Sequence, residues 1–146
     1  MDTVGHILKE KGQVVHTAAP KDSVLGAVET MCSKKVGSLL VCEQGLPVGI
    51  ITERDLMTDV VLARRDPATT RVDEVMATDV VCVNTATTTE EAMAIMTERR
   101  CRHLPVVESS RIVGIVSIGD LVRWASRNHE FEIRMLTDYI LGKYPG

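Results

Sequence analysis

Two segments with the same ending, GIITERDL at 49–56 and GIVSIGDL at 114–121, decide the fold of this chain. Each contains a glycine, an apolar run, a hydroxyl residue, two variable positions, an aspartate and a leucine. When the sequence is shifted by 65 residues, 15–56 aligns with 80–121 without a gap. The identical pairs are mostly small or aliphatic residues of the kind that a core holds, so the sequence predicts an internal duplication.

The two stretches that precede the aligned segments are also related to each other. TVGHIL at 3–8 resembles RVDEVM at 71–76, but here the shift is 68 residues, because the first copy has three extra residues around EKG. The glycine of that tripeptide, Gly12, is a typical helix stop. The N-terminus is therefore predicted to form a short amphipathic helix.

Both copies show the same order of local patterns. A β-rich run, 13–18 or 80–85, precedes turn residues and then a helix with its apolar residues on one face. Residues 88–91, TTEE, have the sequence of a capping box at the start of the second of these helices. Two strands with a hairpin-sized connection and a closing helix near the aspartate complete a β-α-β-β-α unit.

The predicted fold class is therefore α/β (α+β), with two repeats that pack together because neither copy covers its own apolar faces. Helices flank the repeats at both ends. The predicted domains are the first repeat with the N-terminal helix at 1–63, a linker at 64–70, the second repeat at 71–127 and a C-terminal helix at 128–146.

Composition narrows the classes of function. Of the 146 residues, 45% are hydrophobic and only 3% aromatic, which predicts an aliphatic core. A net charge of −3 argues against a general nucleic-acid binder, because phosphates need a basic surface. The sequence has neither an apolar run long enough to span a bilayer nor a signal pattern at its start. We expect a cytoplasmic protein without a membrane partner.

The cysteines do not have the spacing of a metal site. Cys32, Cys42, Cys82 and Cys101 contain no C-x-x-C pair, so we interpret them as reduced, small apolar residues. An alternative is a redox role for Cys101, since the neighbouring cations could lower the pKa of its thiol.

The repeated motif itself allows two interpretations. Thr52 ends a strand and Asp55 lies in the first turn of the next helix, where a carboxylate could accept hydrogen bonds from the vicinal hydroxyls of a ribose and free N–H groups could hold phosphate. A hydroxyl three residues before a carboxylate is equally typical of a helix cap. A duplicated cap is still a cap, so the spacing leaves both interpretations open.

Two tandem units of this kind resemble the CBS-domain family over nearly the whole chain. The resemblance implies a Bateman module, in which the two repeats pack with pseudo-twofold symmetry and bind AMP, ADP, ATP, NAD or S-adenosylmethionine in their cleft. It implies a non-catalytic regulatory or sensor protein with no required cofactor and no metal. We also see no nucleophile–base pair in the sequence that would support an enzyme.

The resemblance implies two ligand sites, with backbone groups near the ends of the first strands as further contacts. The first site would contain Thr52 and Asp55 with Gly37, Ser38 and Ile51, the second Ser117 and Asp120 with His103, Leu104 and Val116, and the further contacts would come from Thr17 and Val81.

The two copies differ where a phosphate would need charge. Arg102 and His103 stand where the first copy has Gly37 and Ser38, and they suit a phosphate or a neighbouring carboxylate. Because the variable positions of the motif also differ, we expect the two sites to be unequal. The cations at 34–35 and 99–100 need no ligand, because they lie at predicted helix C-termini.

The C-terminal segment has no counterpart in the first half. Its apolar residues recur at helical spacing and Gly142 is a predicted stop; these residues are Phe131, Met135, Leu136, Tyr139 and Ile140. Such a helix either covers the core of the module or forms the surface of a homodimer.

The leading hypothesis is thus an adenine-compound sensor that signals to a separate effector protein, and the alternative is a protein–protein interaction scaffold. The sequence does not choose among the adenine compounds, nor does it exclude guanine.

Overall fold

A computed structural model describes residues 1–12, 14–127 and 130–141. It has the mixed helix and strand content of an α+β fold, as predicted. In chain order the elements are α1 (Val4–Lys11), β1 (Thr17–Ala18), α2 (Val24–Lys34), β2 (Ser38–Glu43), β3 (Leu46–Thr52), α3 (Glu53–Leu56), a π-helical turn (Met57–Val61), a 3-10 turn (Val72–Glu74), α4 (Thr89–Arg99), β4 (His103–Glu108), β5 (Arg111–Ser117), α5 (Ile118–Ala125) and α6 (Glu130–Ile140).

The chain divides into two compact units. The first-repeat unit is Val14–Val80 and contains a sheet with the order β1-β2-β3. The second-repeat unit combines Met1–Gln13 with Val81–Gly146 and contains the hairpin β4-β5. The boundaries predicted from the order of the patterns place the N-terminal helix with the first repeat, whereas its contacts join it to the second.

Backbone hydrogen bonds and packing explain this grouping. In the second-repeat unit, the Val4 N–H of α1 donates to the Thr87 carbonyl at 2.8 Å. The Leu8 side chain of α1 fills the space over Gly114, where an added Cβ would lie 2.7 Å from Leu8 Cδ2. Helix α1 therefore completes the second repeat.

The segment 71–77 has the equivalent position in the first-repeat unit. The Val72 N–H donates to the Asp22 carbonyl at 2.8 Å, and Met76 lies over Gly49 as Leu8 lies over Gly114. Both glycines are required because the neighbouring side chain occupies the space that a Cβ would need. The two related N-terminal segments are thus exchanged between the repeats.

Each repeat contains the predicted hairpin. Gln44 and Gly45 connect β2 to β3, and Ser109 and Ser110 connect β4 to β5. All four residues have positive φ, between 50° and 81°, which a two-residue turn of type I′ requires. The predicted hairpin connections are confirmed.

The first strand of each copy is shorter than predicted. β1 contains only two residues, and the strand predicted at 80–85 is wrong, since Val83 forms an isolated parallel bridge with Val106. The Val83 N–H donates to the Pro105 carbonyl at 2.9 Å. The next hydrogen bond of this parallel ladder would run from the N–H of residue 105 to the Val81 carbonyl. Because Pro105 has no N–H, the ladder cannot continue from this bridge towards Val81.

Each unit has its own aliphatic core, as the composition predicted. The core of the second-repeat unit includes Val4, Leu8, Met96, Leu104 and Val116, all with at most 1% of their surface exposed. The core of the first-repeat unit includes Val24, Leu39, Val41, Ile51 and Val72, with the same low exposure.

The closing helices differ between the copies. α3 has a single turn before the π-helical turn, whereas α5 continues as a regular helix to Ala125. In α6, Tyr139 packs against the core of the second-repeat unit, which supports a covering role for this helix. Ile140 remains 71% exposed. The predicted stop at Gly142 and the side chains of Phe131 and Met135 lie outside the described residues.

Candidate functional site

In both repeats the motif lies at the end of the second hairpin strand. This point is beside the start of the first hairpin strand. Ser38 is opposite Thr52, and His103 is opposite Ser117. One residue further on, the Glu53 N–H donates to the Gly37 carbonyl at 3.1 Å, and the equivalent bond in the second copy, from Ile118 to Arg102, is 2.8 Å. The hairpin therefore fixes the motif hydroxyl and the predicted lining residues side by side.

In the first repeat, Thr52 and Asp55 form a capping box. The Asp55 N–H donates to Thr52 Oγ1 at 3.2 Å, and the Thr52 N–H donates to Asp55 Oδ2 at 2.9 Å. The Thr52 hydroxyl also donates to Asp55 Oδ2, at 3.0 Å. Within the described part of this unit, Asp55 Oδ1 accepts no hydrogen bond and no Lys or Arg lies within ion-pair distance of the carboxylate.

The second repeat has the same capping box but different further contacts. The Asp120 N–H donates to Ser117 Oγ at 3.1 Å, and the Ser117 N–H donates to Asp120 Oδ2 at 2.8 Å. Lys11 Nζ donates to the same Oδ2 at 2.7 Å, and Arg123 Nη2 donates to Oδ1 at 2.7 Å. Only 6% of the Asp120 side chain is exposed, so this carboxylate is buried between two cations.

The pKa of Asp120 reflects these contacts. Burial alone would raise the pKa of this carboxyl. The hydrogen bond and the charge of Lys11, together with the bonds from Ser117, outweigh burial and hold the pKa of Asp120 below its usual range. Asp120 is therefore ionised at neutral pH, and its charge is balanced within the protein.

The three extra residues of the first copy explain how Lys11 reaches Asp120. In the first repeat, Ile50 exchanges two backbone hydrogen bonds of 2.9 Å with Ala77. In the second repeat, α1 continues through the extra residues, and Lys11 Nζ donates to the Ile115 carbonyl at 3.0 Å. The sequence analysis missed Lys11. The change of shift from 65 to 68 residues was the signal that something is inserted there.

The cations that follow the two repeat helices, and the predicted site residues Arg102 and His103, have local contacts. Lys34 and Arg99 lie in the last turns of α2 and α4, and Lys35 and Arg100 are left-handed C-caps, as expected for helix C-termini. The guanidinium of Arg102 lies 6.0 Å from the centre of the Tyr139 ring. His103 is half-buried in β4, beside Ser117.

Several predicted lining residues belong to the cores. The side chains of Ile51, Leu104 and Val116 are fully buried, so only their backbones remain for a ligand. Val81 is half-buried and packs against the core of the second-repeat unit, while Thr17 is exposed in β1. Gly37 and the buried Ser38 stay beside the motif of the first repeat. Their roles in ligand binding remain predictions.

The redox interpretation of Cys101 assumed that neighbouring cations lower the pKa of its thiol, and this premise is wrong. Burial raises the pKa of the Cys101 thiol, and the nearby Arg99 offsets only part of this effect. Burial likewise raises the pKa of Cys42 and Cys82. Within the described ranges, no group of three or more His, Cys, Asp or Glu residues could hold a metal ion.

None of the helices within the described ranges combines the length and the apolar character that a bilayer crossing requires.

Comparison with known proteins supports the predicted relationship. The family model described as "CBS domain" matches residues 6–61 and 72–127. The CBS domain-containing protein CBSX3, mitochondrial, of Arabidopsis thaliana is 34% identical over 97% of this chain and 73% of its own length. A solved structure of a protein with CBS domains from Burkholderia ambifaria is 41% identical, with a TM-score of 0.82 over 88% of this chain and 97% of that one. A hexameric CBS-CP12 protein from bloom-forming cyanobacteria is 30% identical, with a TM-score of 0.74 over 88% and 73% of the two chains.

Proposed function

The chain belongs to the CBS-domain family, and from this premise we propose that it binds an adenine nucleotide or adenosyl compound and passes occupancy on to a separate effector protein. CBS-domain proteins generally act as regulatory modules. The proposal names AMP, ADP, ATP, NAD and S-adenosylmethionine as candidate ligands, without catalysis. A ligand that binds two arrangements of the module with different affinities would shift the balance between them, which is how occupancy would be signalled.

The open carboxylate oxygen of Asp55 carries this proposal. The capping box uses only one oxygen of this carboxylate: Oδ2 is fixed by Thr52, and Oδ1 is left available to accept from a ligand. Two vicinal ribose hydroxyls are suitable donors to such a carboxylate, because an ionised carboxylate has about four acceptor positions. The backbone beside Gly37 and Ser38 would contact the base.

A thermal-shift panel tests this proposal. The panel contains AMP, ADP, ATP, NAD, S-adenosylmethionine and GTP, each added to the purified protein. A compound that binds only the folded state stabilises it by about 2.7 kcal/mol at a hundredfold excess over its dissociation constant, so the melting temperature must rise.

Two substitutions, one in α3 and one in the π-helical turn after it, show whether a shift depends on Asp55. Asp55→Asn should remove the shift given by the active compound. Asp59→Asn is the matched control, since Asp59 is exposed in the π-helical turn that follows α3. No shift with any of the six compounds would contradict the proposal.

An interaction scaffold remains the second candidate, because the π-helical turn and the residue after it expose apolar side chains. Met57, Val61 and Leu62 are 62%, 70% and 77% exposed, and such a group is typical of a binding surface. The hexameric relative is consistent with self-association, and we propose at least a homodimer for this chain. A Leu62→Glu variant that leaves the mass by light scattering unchanged would contradict assembly through this surface.

The compartment is also part of the proposal. We propose the cytoplasm, although the relative from Arabidopsis thaliana is mitochondrial. Fractionation of cells that express the tagged chain would separate these alternatives.

A further inference from the structure

We propose that the second motif binds a phosphoryl group, which the Ser117 hydroxyl and the Arg123 guanidinium hold in the space over Gly119. In this site Asp120 does not contact the ligand but positions Arg123. The inference goes beyond the proposed function, which concerns the riboside at the first motif, and it assigns a different ligand group to each copy.

The space over Gly119 is small and lies between two hydrogen-bond donors. A Cβ added to Gly119 would lie 3.4 Å from Arg123 Nη1 and 3.6 Å from Ser117 Oγ, which are ordinary contact distances. Gly119 has no positive φ, so neither its backbone conformation nor crowding requires a glycine here. An oxygen atom of a ligand in this space lies close to hydrogen-bonding distance of both donors.

Both lining groups have donors to spare. Ser117 Oγ accepts from the Asp120 N–H at 3.1 Å, but its hydroxyl donates to no acceptor among the contacts of the described residues. The Thr52 hydroxyl of the first motif instead donates to Asp55 Oδ2 at 3.0 Å. Arg123 donates from Nη2 to Asp120 Oδ1 at 2.7 Å, and its Nη1 has no acceptor within the part of the chain that the structure describes.

Asp120 keeps the guanidinium of Arg123 beside this space. Asp120 Oδ2 accepts from the Ser117 N–H at 2.8 Å and from Lys11 at 2.7 Å, which leaves Oδ1 for Arg123. The Arg123 side chain is 71% exposed, so without this bond it would be free to adopt many conformations. Asp120 is thus a positioning residue for the site.

The charges of the second motif suit a phosphoryl group. The carboxylate of Asp120 pairs with two cations, Lys11 and Arg123, which leaves one positive charge in excess. A planar guanidinium matches the oxygens of a phosphate and binds them through charge-assisted hydrogen bonds. A phosphoryl group therefore supplies the acceptors that Ser117 and Arg123 lack.

The first motif does not have this site. Arg54 stands where the second copy has Gly119, so a side chain begins where the space would be. Thr58 stands where the second copy has Arg123, which removes the cation. The first-repeat unit contains 7 Lys and Arg residues against 10 Asp and Glu residues, whereas the second-repeat unit contains 10 of each class. We therefore expect the phosphoryl group at the second motif only.

Amide NMR during a titration with inorganic phosphate, at constant pH and ionic strength, tests this inference. The Gly119 resonance should shift and saturate, whereas the Arg54 resonance should not respond. Ser117→Ala and Arg123→Gln should each weaken the binding by about tenfold, because each removes a hydrogen bond to a charged group. Gly119→Ala, whose methyl group fills the space, should abolish the binding. Arg111→Gln is the matched control, because Arg111 is exposed at the other end of β5.

Two further variants cover the structural roles of the site residues. Ser117→Ala also removes the cap of α5, but Arg123→Gln and Gly119→Ala leave the cap intact and keep the test valid if that variant does not fold. Asp120→Asn should weaken phosphate binding in the wild type and have no additional effect in Arg123→Gln, because Asp120 acts through Arg123. Equal losses in both backgrounds would show a merely structural role for Asp120.

AMP and adenosine, each added to Asp55→Asn, distinguish free phosphate from the phosphate of a nucleotide. AMP should shift the Gly119 resonance with about the affinity of inorganic phosphate, and adenosine should not shift it. Since a phosphoryl group alone makes few contacts, this binding should be weaker than that of the riboside at the first motif, so the thermal-shift panel reports on Asp55. AMP binding that is much tighter than phosphate binding would mean that the second motif also takes the ribose, which would overturn the inference.

The remaining outcomes separate the two proposals. No saturable shift of Gly119 with phosphate, an undiminished response in Arg123→Gln, or a response to adenosine overturns this inference and leaves the proposed function unchanged. A phosphate response at Gly119 without any Asp55-dependent binding in the panel overturns the proposed function alone.

Discussion

The two copies of the motif share a capping box and differ in what reaches the carboxylate. At Asp55 the nearest donors belong to Thr52, within the motif itself. At Asp120 a lysine from the N-terminal helix, more than 100 residues away in sequence, adds a charge-assisted bond of 2.7 Å. Duplication thus preserved the local geometry of the cap while the inserted residues before the first repeat changed the chemistry of the second. Sequence identity within a motif does not establish equal function.

Helix α1 packs over the hairpin of the second repeat and the segment 71–77 packs over that of the first, so we call them the covers of the two repeats. The largest expected effect tests whether the two covers stabilise their repeats equally. Leu8→Ala removes a fully buried side chain and should lower the free energy of unfolding by about 2–5 kcal/mol. Met76→Ala should cost less, because Met76 is only half-buried. Denaturant unfolding of both variants measures the difference, and equal losses would mean that the two covers contribute alike.

The next largest effect compares the glycines under these covers. Gly49→Ala would place a Cβ 2.9 Å from the Ala77 carbonyl oxygen, which is held by its bond to Ile50, and should cost about 1–3 kcal/mol. Gly114→Ala meets side-chain atoms of Leu8 rather than backbone, so the neighbour can shift more easily and the change should cost less. Thermal unfolding gives the ranking, and a larger loss at Gly114 would contradict it.

A smaller effect is expected from the ion pair of Lys11. Lys11→Met should lower the free energy of unfolding by about 1–2 kcal/mol at neutral pH, since it removes a charge-assisted bond to a buried carboxylate. Lys9→Met, on the same helix, should have no effect.

The pH dependence identifies Asp120 as the partner. Its folded pKa lies below the unfolded value, so its stabilising contribution is complete above about pH 4 and is lost as the pH falls through the folded pKa. The difference between wild type and Lys11→Met should therefore shrink over this acidic range. A difference that stays constant down to pH 2 would show that Lys11 acts through packing instead.

The smallest effect compares the two hairpin turns. Ser110 has a φ of 62°, in the left-handed region that costs a non-glycine residue about 1 kcal/mol, so Ser110→Gly should stabilise the protein by up to that amount. The mirror change, Gly45→Ser at a φ of 81°, should destabilise it similarly. Melting temperatures that move in the same direction in both variants would contradict this explanation.

The sequence predicted features that depend on neighbouring residues. The hairpin turns, the capping box at Thr88 and the aspartate caps all follow from residues within a few positions of one another. The duplication, read from the repeated motif, predicted the family and the fold class.

Features that depend on distant pairs were not predicted. The β-rich run at 80–85 is typical of a strand, but only Val83 pairs, with Val106, because Pro105 has no N–H with which to extend the ladder. The alignment of 3–8 with 71–76 shows that the two segments are related but not which repeat each one covers. The contact between Lys11 and Asp120 depends on that exchange, so it could not be found from spacing.

The exchange of covers also has a consequence for synthesis. The first-repeat unit is continuous in sequence, whereas the second-repeat unit is interrupted by it. On the ribosome, helix α1 emerges first but cannot dock until β4, β5 and α5 have followed, which leaves Val4, Ile7 and Leu8 uncovered meanwhile. Contacts between such distant segments slow folding, because a long loop must close before they form. The inner repeat should therefore fold first during translation, and the second-repeat unit becomes complete only after α5 has been made.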